Sequence, residues 1–135
     1  MIKWKEEYNI GIELIDNQHK KLFSIANEAY ALLKNEFCMD KYDKIVSILV
    51  ELKDYAIYHF NSEEEYMTKI GYNKFFSQKM EHEYFVNKIK EIDFDKIDIN
   101  QDKYILDILN FIINWITNHI ISKDKLIKEP SKKNL

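Results

Sequence analysis

Apolar residues recur every three or four positions in four long segments, which is the spacing of an amphipathic α-helix. Candidate capping residues separate these segments, because Asp and Asn favour helix starts and Gly favours helix ends. We therefore predict four helices: from Asp16 to near Asn35, from Asp40 to Gly71, from Asn73 towards a loop at Asp93–Ile99, and from about Asn100.

The scarcity of turn residues sets the fold class. The chain has two glycines and one proline, which is too few for a sheet protein with frequent turns. Four helices with short connections favour an all-α, antiparallel up-down-up-down four-helix bundle. We expect a single domain over residues 1–127, with residues 1–15 as an extended N-terminal arm packed over it and 128–135 as a polar C-terminal tail.

Composition and charge exclude several classes of partner. Acidic and basic residues are interspersed and the net charge is −3, whereas nucleic-acid binding favours a clustered basic surface. No uninterrupted apolar run approaches the ~20 residues of a membrane span, so no membrane contact is expected. Cys38 is the single cysteine and cannot form an internal disulfide, which is consistent with a reducing compartment and a cytoplasmic protein.

Each predicted helix carries one histidine on its apolar side, and the chain has four in all: His19, His59, His82 and His119. Glu63 follows His59 by four residues, so both side chains lie on one helix face, one turn apart. Gln78 precedes His82 by the same spacing. A glutamate on a core face is rarely buried without a partner, which makes Glu63 the informative exception in this pattern.

Asp124 follows His119 by five residues, which places it about 140° away around a regular helix. It can therefore approach His119 only if the fourth helix loosens or ends between them, for example at Ser122.

A buried metal centre explains these polar residues better than a purely apolar core does. Any one histidine could be structural, since intermediate burial is common for this residue. Four imidazoles and two carboxylates buried together would leave many groups unpaired, each costing about 1–3 kcal/mol. The set exceeds what one tetrahedral zinc uses, and it suits two iron ions, with manganese as a weaker alternative.

Four signatures in this chain resemble those of the bacterial hemerythrins, over nearly the whole length from Trp4 to about Leu126. The first contains Trp4, Gly11 and the run Ile15-Asp-Asn-Gln-His-Lys-Lys-Leu-Phe23. The other three contain His59-Phe60 with Glu63-Glu64 and Met67, then Gly71-Tyr72 through Glu81-His82, then Trp115 with His119-Ile120 and Asp124.

The resemblance implies a di-iron centre with an oxo or hydroxo bridge and reversible O2 binding. Its protein ligands would be two histidine pairs and two bridging carboxylates: His19 and His59, His82 and His119, and Glu63 and Asp124. The first histidine pair would hold the iron that keeps an open coordination position. Ile116 and Trp115 would contribute an apolar wall that keeps water out.

The chain departs from the family pattern at Gln78, where the family has the first histidine of a His-x-x-x-His motif on the third helix. Three outcomes stay open. Gln78 ligates through its amide oxygen, or it holds a water that fills the position, or the second iron binds weakly.

The resemblance favours a reversible O2 carrier for storage, delivery or sensing over an enzyme. The alternative is a di-iron enzyme that acts on peroxide, nitric oxide or O2, because Gln78 leaves the second iron short of a histidine. Ferritin-like di-iron proteins use paired Glu-x-x-His motifs, which this chain lacks. A metal-free bundle that acts through protein contacts is a third reading, and metal analysis separates it from the others.

Overall fold

A computed structural model of the chain describes residues 3–97 and 101–127. It consists of four α-helices: α1 (Glu13–Lys34), α2 (Lys41–Ile70), α3 (Phe75–Lys90) and α4 (Asp102–Ser122). Three 3-10 turns accompany them, at Glu6–Tyr8, Phe94–Lys96 and Asp124–Leu126. α1 packs against α2 and α4, and α2 packs against α3. The described ranges contain no strand, and the predicted all-α four-helix bundle is confirmed.

The end of α2 follows the predicted glycine cap. Gly71 adopts a left-handed conformation, with φ at 66°. The Tyr72 amide donates to the Met67 carbonyl at 2.9 Å, and the Gly71 amide donates to Thr68 at 3.2 Å. This pair of bonds satisfies carbonyls that the end of a helix leaves free, and glycine adopts the required φ without a Cβ penalty.

Two predicted helix starts were wrong. α1 begins at Glu13, so Asp16 lies in its first turn and does not cap it. Asp16 instead accepts hydrogen bonds from the backbone amides of Ile10 at 2.8 Å and Gly11 at 3.2 Å, which fixes the chain entering the helix. The third helix begins at Phe75 after Lys74, and the predicted cap Asn73 lies outside it. Asp40 does occupy the position before α2.

The N-terminal segment is less extended than predicted. It contains the 3-10 turn Glu6–Tyr8, and the last residues of the predicted arm already belong to α1. Trp4 and Tyr8 both meet Phe23 of α1 edge to face, with ring centroids 5.3 and 5.4 Å away. The predicted tail 128–135, the predicted start of the fourth helix at Asn100 and the end of the predicted loop lie outside the described residues.

α4 is the most apolar helix of the bundle. Together with the turn that follows it, Asp102–Leu126 is long and apolar enough to cross a membrane, judged by length and composition alone. Its core-facing side chains are buried, among them Ile105, Leu109, Ile112, Ile116 and Ile120, whereas Leu106 and Ile121 are exposed. Packing as a core helix accounts for this composition, because helices with wide apolar faces bury those faces against their neighbours.

Candidate metal centre

The four histidines converge inside the bundle, and none is more than 4% exposed. His19 comes from α1 and His59 from α2, and their Nε2 atoms lie 3.1 Å apart. His82 comes from α3 and His119 from α4, with their Nε2 atoms 3.2 Å apart. The bundle therefore holds two pairs of imidazoles, each pair presenting two ring nitrogens to one point.

Glu63 lies between the two histidine pairs and is fully buried. Its Oε2 lies 3.3 Å from His59 Nε2 and 3.7 Å from His19 Nε2. Its Oε1 lies 3.1 Å from His82 Nε2 and 3.9 Å from His119 Nε2. One turn of α2 separates Glu63 from His59, which is why the carboxylate reaches the same point as that imidazole.

Asp124 reaches the cluster because α4 ends before it. The helix stops at Ser122, Lys123 leaves helical geometry at φ −122° and ψ −54°, and a 3-10 turn starts at Asp124. Asp124 Oδ2 then lies 3.2 Å from His19 Nε2, and Oδ1 lies 3.2 Å from His119 Nε2. The condition stated from the sequence, that the helix must end near Ser122 for Asp124 to join His119, is met.

Gln78 also belongs to this cluster and is 2% exposed. Its amide nitrogen donates to Asp124 Oδ1 at 3.3 Å, on the side of Asp124 that faces His119. Its amide oxygen is buried and has no hydrogen-bond partner among the described residues. An amide in this position offers a neutral oxygen donor next to the His82 and His119 pair.

A second set of polar groups contacts the outer nitrogens of the histidines. Gln18 Oε1 lies 2.7 Å from His59 Nδ1, and Glu64 Oε2 lies 2.8 Å from His82 Nδ1. Such contacts fix the ring orientation and the tautomer of a ligand histidine. The role of Gln18 was missed from the sequence, although its spacing three residues after Ile15 and four before Leu22 already places it on the buried face.

Aromatic rings cover the His82 and His119 side of the cluster. Phe60 stacks on His82 with ring centroids 4.2 Å apart, and Trp115 stacks on His119 at 4.6 Å. Phe60 and Trp115 meet edge to face at 5.8 Å. Ile116 is buried one turn before His119. Together these side chains form an apolar wall that reduces the access of water to the polar centre.

The buried charges perturb one another strongly. Burial lowers the pKa of His19, but Asp124 and Glu63 outweigh it and raise the value to about 9. Burial also lowers the pKa of His82, but the neighbouring Glu63 and Glu64 carboxylates outweigh this effect and raise the value to about 9. Burial keeps the pKa of His59 below its usual value. For Glu63, burial is outweighed by the surrounding histidines, which hold its pKa well below the usual range. Without metal, two imidazolium groups therefore balance the carboxylates.

This balance predicts how the stability of metal-free protein depends on pH. His19 and His82 have folded pKa values of about 9 against 6.5 for the unfolded chain. Their contribution is complete below pH 6.5 and is lost as pH rises through 9, because the folded state then gives up protons that it binds preferentially. Urea denaturation of chelated protein should show the free energy of unfolding falling by a few kcal/mol from pH 6.5 to 9.5. A flat or rising profile would contradict the charge assignment.

The donor groups fit bound cations. Glu63 Oε2 and Asp124 Oδ2 lie 3.3 and 3.2 Å from the Nε2 atoms of His59 and His19 but have no hydrogen bond of normal geometry. Gln78 Oε1 is buried without a hydrogen-bond partner in the described part of the chain. Two four-residue groups have ligand atoms within 4.8 Å of one another: His19, His59, Glu63 and Asp124, and Glu63, His82, His119 and Asp124. The groups share both carboxylates. Cations would convert these unsatisfied atoms, each costing about 1–3 kcal/mol, into ligands.

The fold and this buried cluster together define a cation-binding four-helix bundle. A family model described as the Hemerythrin HHE cation binding domain matches residues 10–129. The chain belongs to the hemerythrin family, and the resemblance inferred from its four signatures is confirmed.

Named relatives and a solved structure agree with this membership. A bacteriohemerythrin of Clostridium acetobutylicum is 53% identical over 125 residues, covering 93% of this chain and 97% of that protein. A bacteriohemerythrin of Methylococcus capsulatus is 32% identical over 124 residues, covering 89% and 88% of the two chains. The crystal structure of a wild-type hemerythrin is 30% identical, with a TM-score of 0.79, covering 93% of this chain and 94% of that one.

Proposed function

We propose that this chain is a non-haem di-iron protein that binds O2 reversibly, for storage, delivery or sensing in the cytoplasm. The observation that carries the proposal is the division of the two buried carboxylates. Each of Glu63 and Asp124 presents one oxygen to each histidine pair. Carboxylates between two sets of imidazoles are suited to bridging two metal ions.

In this proposal the irons are held by seven side chains: His19, His59, Glu63, Gln78, His82, His119 and Asp124. When bound, the reduced iron pair supplies the electrons with which O2 is taken up. Gln78 lies on the His82 and His119 side, where it contacts Asp124, so the proposal assigns O2 to the iron that His19 and His59 would hold. On the opposite side, Phe60 stacks on His82 and Trp115 stacks on His119, so aromatic rings cover part of the centre there.

The proposal is tested by cycling purified, iron-loaded protein between reduced and air-exposed states while recording its optical spectrum. An oxo-to-iron charge-transfer band should appear in air and should disappear on removal of O2. The air-insensitive control is protein loaded with zinc, which has no redox chemistry. The absence of any such band, together with an unchanged spectrum on cycling, would contradict O2 binding.

A di-iron enzyme acting on peroxide, nitric oxide or O2 is the second candidate function, and Gln78 is the observation that favours it. Among the described residues, each of the two ligand groups contains two imidazoles. Gln78 has a buried amide oxygen where the family pattern has another imidazole. An amide oxygen is a neutral donor that is weaker than imidazole, so exogenous ligands displace it more readily.

Substituting Gln78→His should shift the protein towards the carrier. Turnover of peroxide and nitric oxide is expected to fall, and spontaneous loss of O2 binding through oxidation is expected to slow, each by about tenfold or more. Stopped-flow assays on wild type and variant measure both. Met80→His is the matched control, because it adds an imidazole to an exposed position of the same helix. If Gln78→His leaves both rates at wild-type values, the departure at this position has no functional effect.

A further inference from the structure

The outer nitrogens of the four histidines have unequal partners. On the first pair, His59 Nδ1 contacts the neutral amide of Gln18 at 2.7 Å, and His19 Nδ1 has no hydrogen-bond partner among the described residues. On the second pair, His82 Nδ1 contacts the Glu64 carboxylate at 2.8 Å. His119 Nδ1, like His19 Nδ1, has no hydrogen-bond partner among the described residues, although the Glu81 carboxylate lies 3.8 Å away. The negative outer partners thus all lie on the His82 and His119 side.

A carboxylate and an amide have different effects on the histidine they contact. Both accept a hydrogen bond from Nδ1–H and so orient the ring. The carboxylate also places a negative charge beside the imidazole, which makes Nε2 a stronger electron donor and raises metal affinity. Histidine pairs with and without such a charge should therefore differ in how tightly they hold the same cation.

The same side of the centre carries the weaker donor. Gln78 contributes an amide next to Asp124 and the second histidine pair. The charge-assisted contact between Glu64 and His82, at 2.8 Å, is short enough to strengthen the His82 imidazole substantially as a metal donor. The charged partner Glu64 and the weaker donor Gln78 thus lie on the same side of the centre.

We propose that Glu64 is a positioning residue that compensates for Gln78 by strengthening His82 as a donor to the second cation. The inference rests on the proposed di-iron function and concerns the relative affinity of its two positions. The cation concerned is divalent, and Fe2+ is the ion to test first. Glu63 touches the centre itself, whereas Glu64 acts through His82 from outside it.

The surroundings of Glu64 suit this role. The side chain is 17% exposed, and Lys79 Nζ lies 3.6 Å from its second oxygen, Oε1. It borders a cleft of about 460 Å³ between α2 and α3 that also reaches His82. The competing explanation is that Glu64 serves only as a surface ion pair with Lys79, which would contribute little and would not affect metal binding.

The test is an anaerobic titration of metal-free protein with Fe2+, which resolves the affinities for the first and second ion without requiring O2 binding. Glu64→Gln keeps the hydrogen-bond acceptor and removes the charge. We expect it to weaken the second ion by about 10–100-fold and to leave the first unchanged. Glu65→Gln, an exposed neighbour on α2, is the matched control and should leave both affinities unchanged. Gln18→Leu should instead weaken the ion held by His19 and His59.

A double-mutant cycle tests the compensation itself. In the Gln78→His background, the second position regains an imidazole, so Glu64→Gln should cost at least threefold less than in wild type. Equal costs in the two backgrounds, or a Glu64→Gln titration identical to that of Glu65→Gln, would overturn the proposal while two ions still bind. Wild-type protein that binds fewer than two ions would instead overturn the proposed function, and this inference with it.

Discussion

Replacing Glu63 by glutamine is expected to remove the second iron before the first. The wild-type carboxylate gives Oε2 to the His19 and His59 side and Oε1 to the His82 and His119 side. Glutamine keeps the volume but replaces one oxygen with an amide nitrogen, which is no ligand. The position beside Gln78 has weaker remaining donors, so it should depend more on the lost oxygen.

The measurement is iron per chain during dialysis against increasing concentrations of a weak chelator. Glu63→Gln should fall to one iron at a chelator concentration at which wild type keeps two, with an affinity loss of about 100-fold for the ion lost. Glu65→Gln lies two residues away on an exposed face and is the control. Parallel loss of both irons, or retention of both, counts against a bridging Glu63.

Removal of the metal is expected to lower the thermal stability of the whole domain by about 10 °C or more. Three buried oxygens of Glu63, Asp124 and Gln78 lack hydrogen-bond partners in the described residues. At about 1–3 kcal/mol each, they would make the metal-free centre costly. Binding adds about 4 kcal/mol at a thousandfold excess of ligand over its dissociation constant. For a domain of this size, each kcal/mol shifts Tm by roughly 3–5 °C.

Calorimetry of native, chelated and reloaded protein measures this effect. Reloading with Fe2+ should restore the original Tm, which separates metal loss from damage during chelation. Treatment with chelator already saturated with iron is the control for the chemical itself. A Tm that does not change on chelation would support the metal-free bundle, in which the histidines serve only as core residues.

Local spacing was sufficient to predict the parts of the centre that lie on regular helices. His59 and Glu63 are one turn apart on α2, so their shared face follows directly from helical geometry. The same argument places Gln78 beside His82 on α3. Convergence of the helices themselves followed from apolar spacing and short connections, which determine which faces are buried.

Features that depend on several elements at once were harder to predict. Asp124 joins the centre only because α4 ends at Ser122, and sequence reasoning could state this as a condition but not decide it. Asp16 was placed at a helix start because its side chain suits a cap, whereas it binds the backbone of Ile10 and Gly11 from inside the first turn. Both cases turn on backbone conformation near a helix end, where boundaries are least determined.

The outer contacts of the histidines could not be derived from spacing. Gln18 on α1 meets His59 on α2, and Phe60 on α2 stacks on His82 of α3. Each contact depends on the relative rotation and height of two helices, which the apolar pattern of a single helix leaves undetermined. Glu64 shows the same limit, since its sequence position indicates a polar face but not that it reaches His82.

We propose that one buried centre would hold two irons that together take up O2. The most direct test counts iron per chain and, on the same sample, titrates reduced protein with O2 under anaerobic conditions while recording the optical spectrum. We expect two irons per chain and one O2 bound per iron pair, with the reduced spectrum recovered when O2 is removed. One iron or fewer per chain, or uptake that does not reverse, would contradict it.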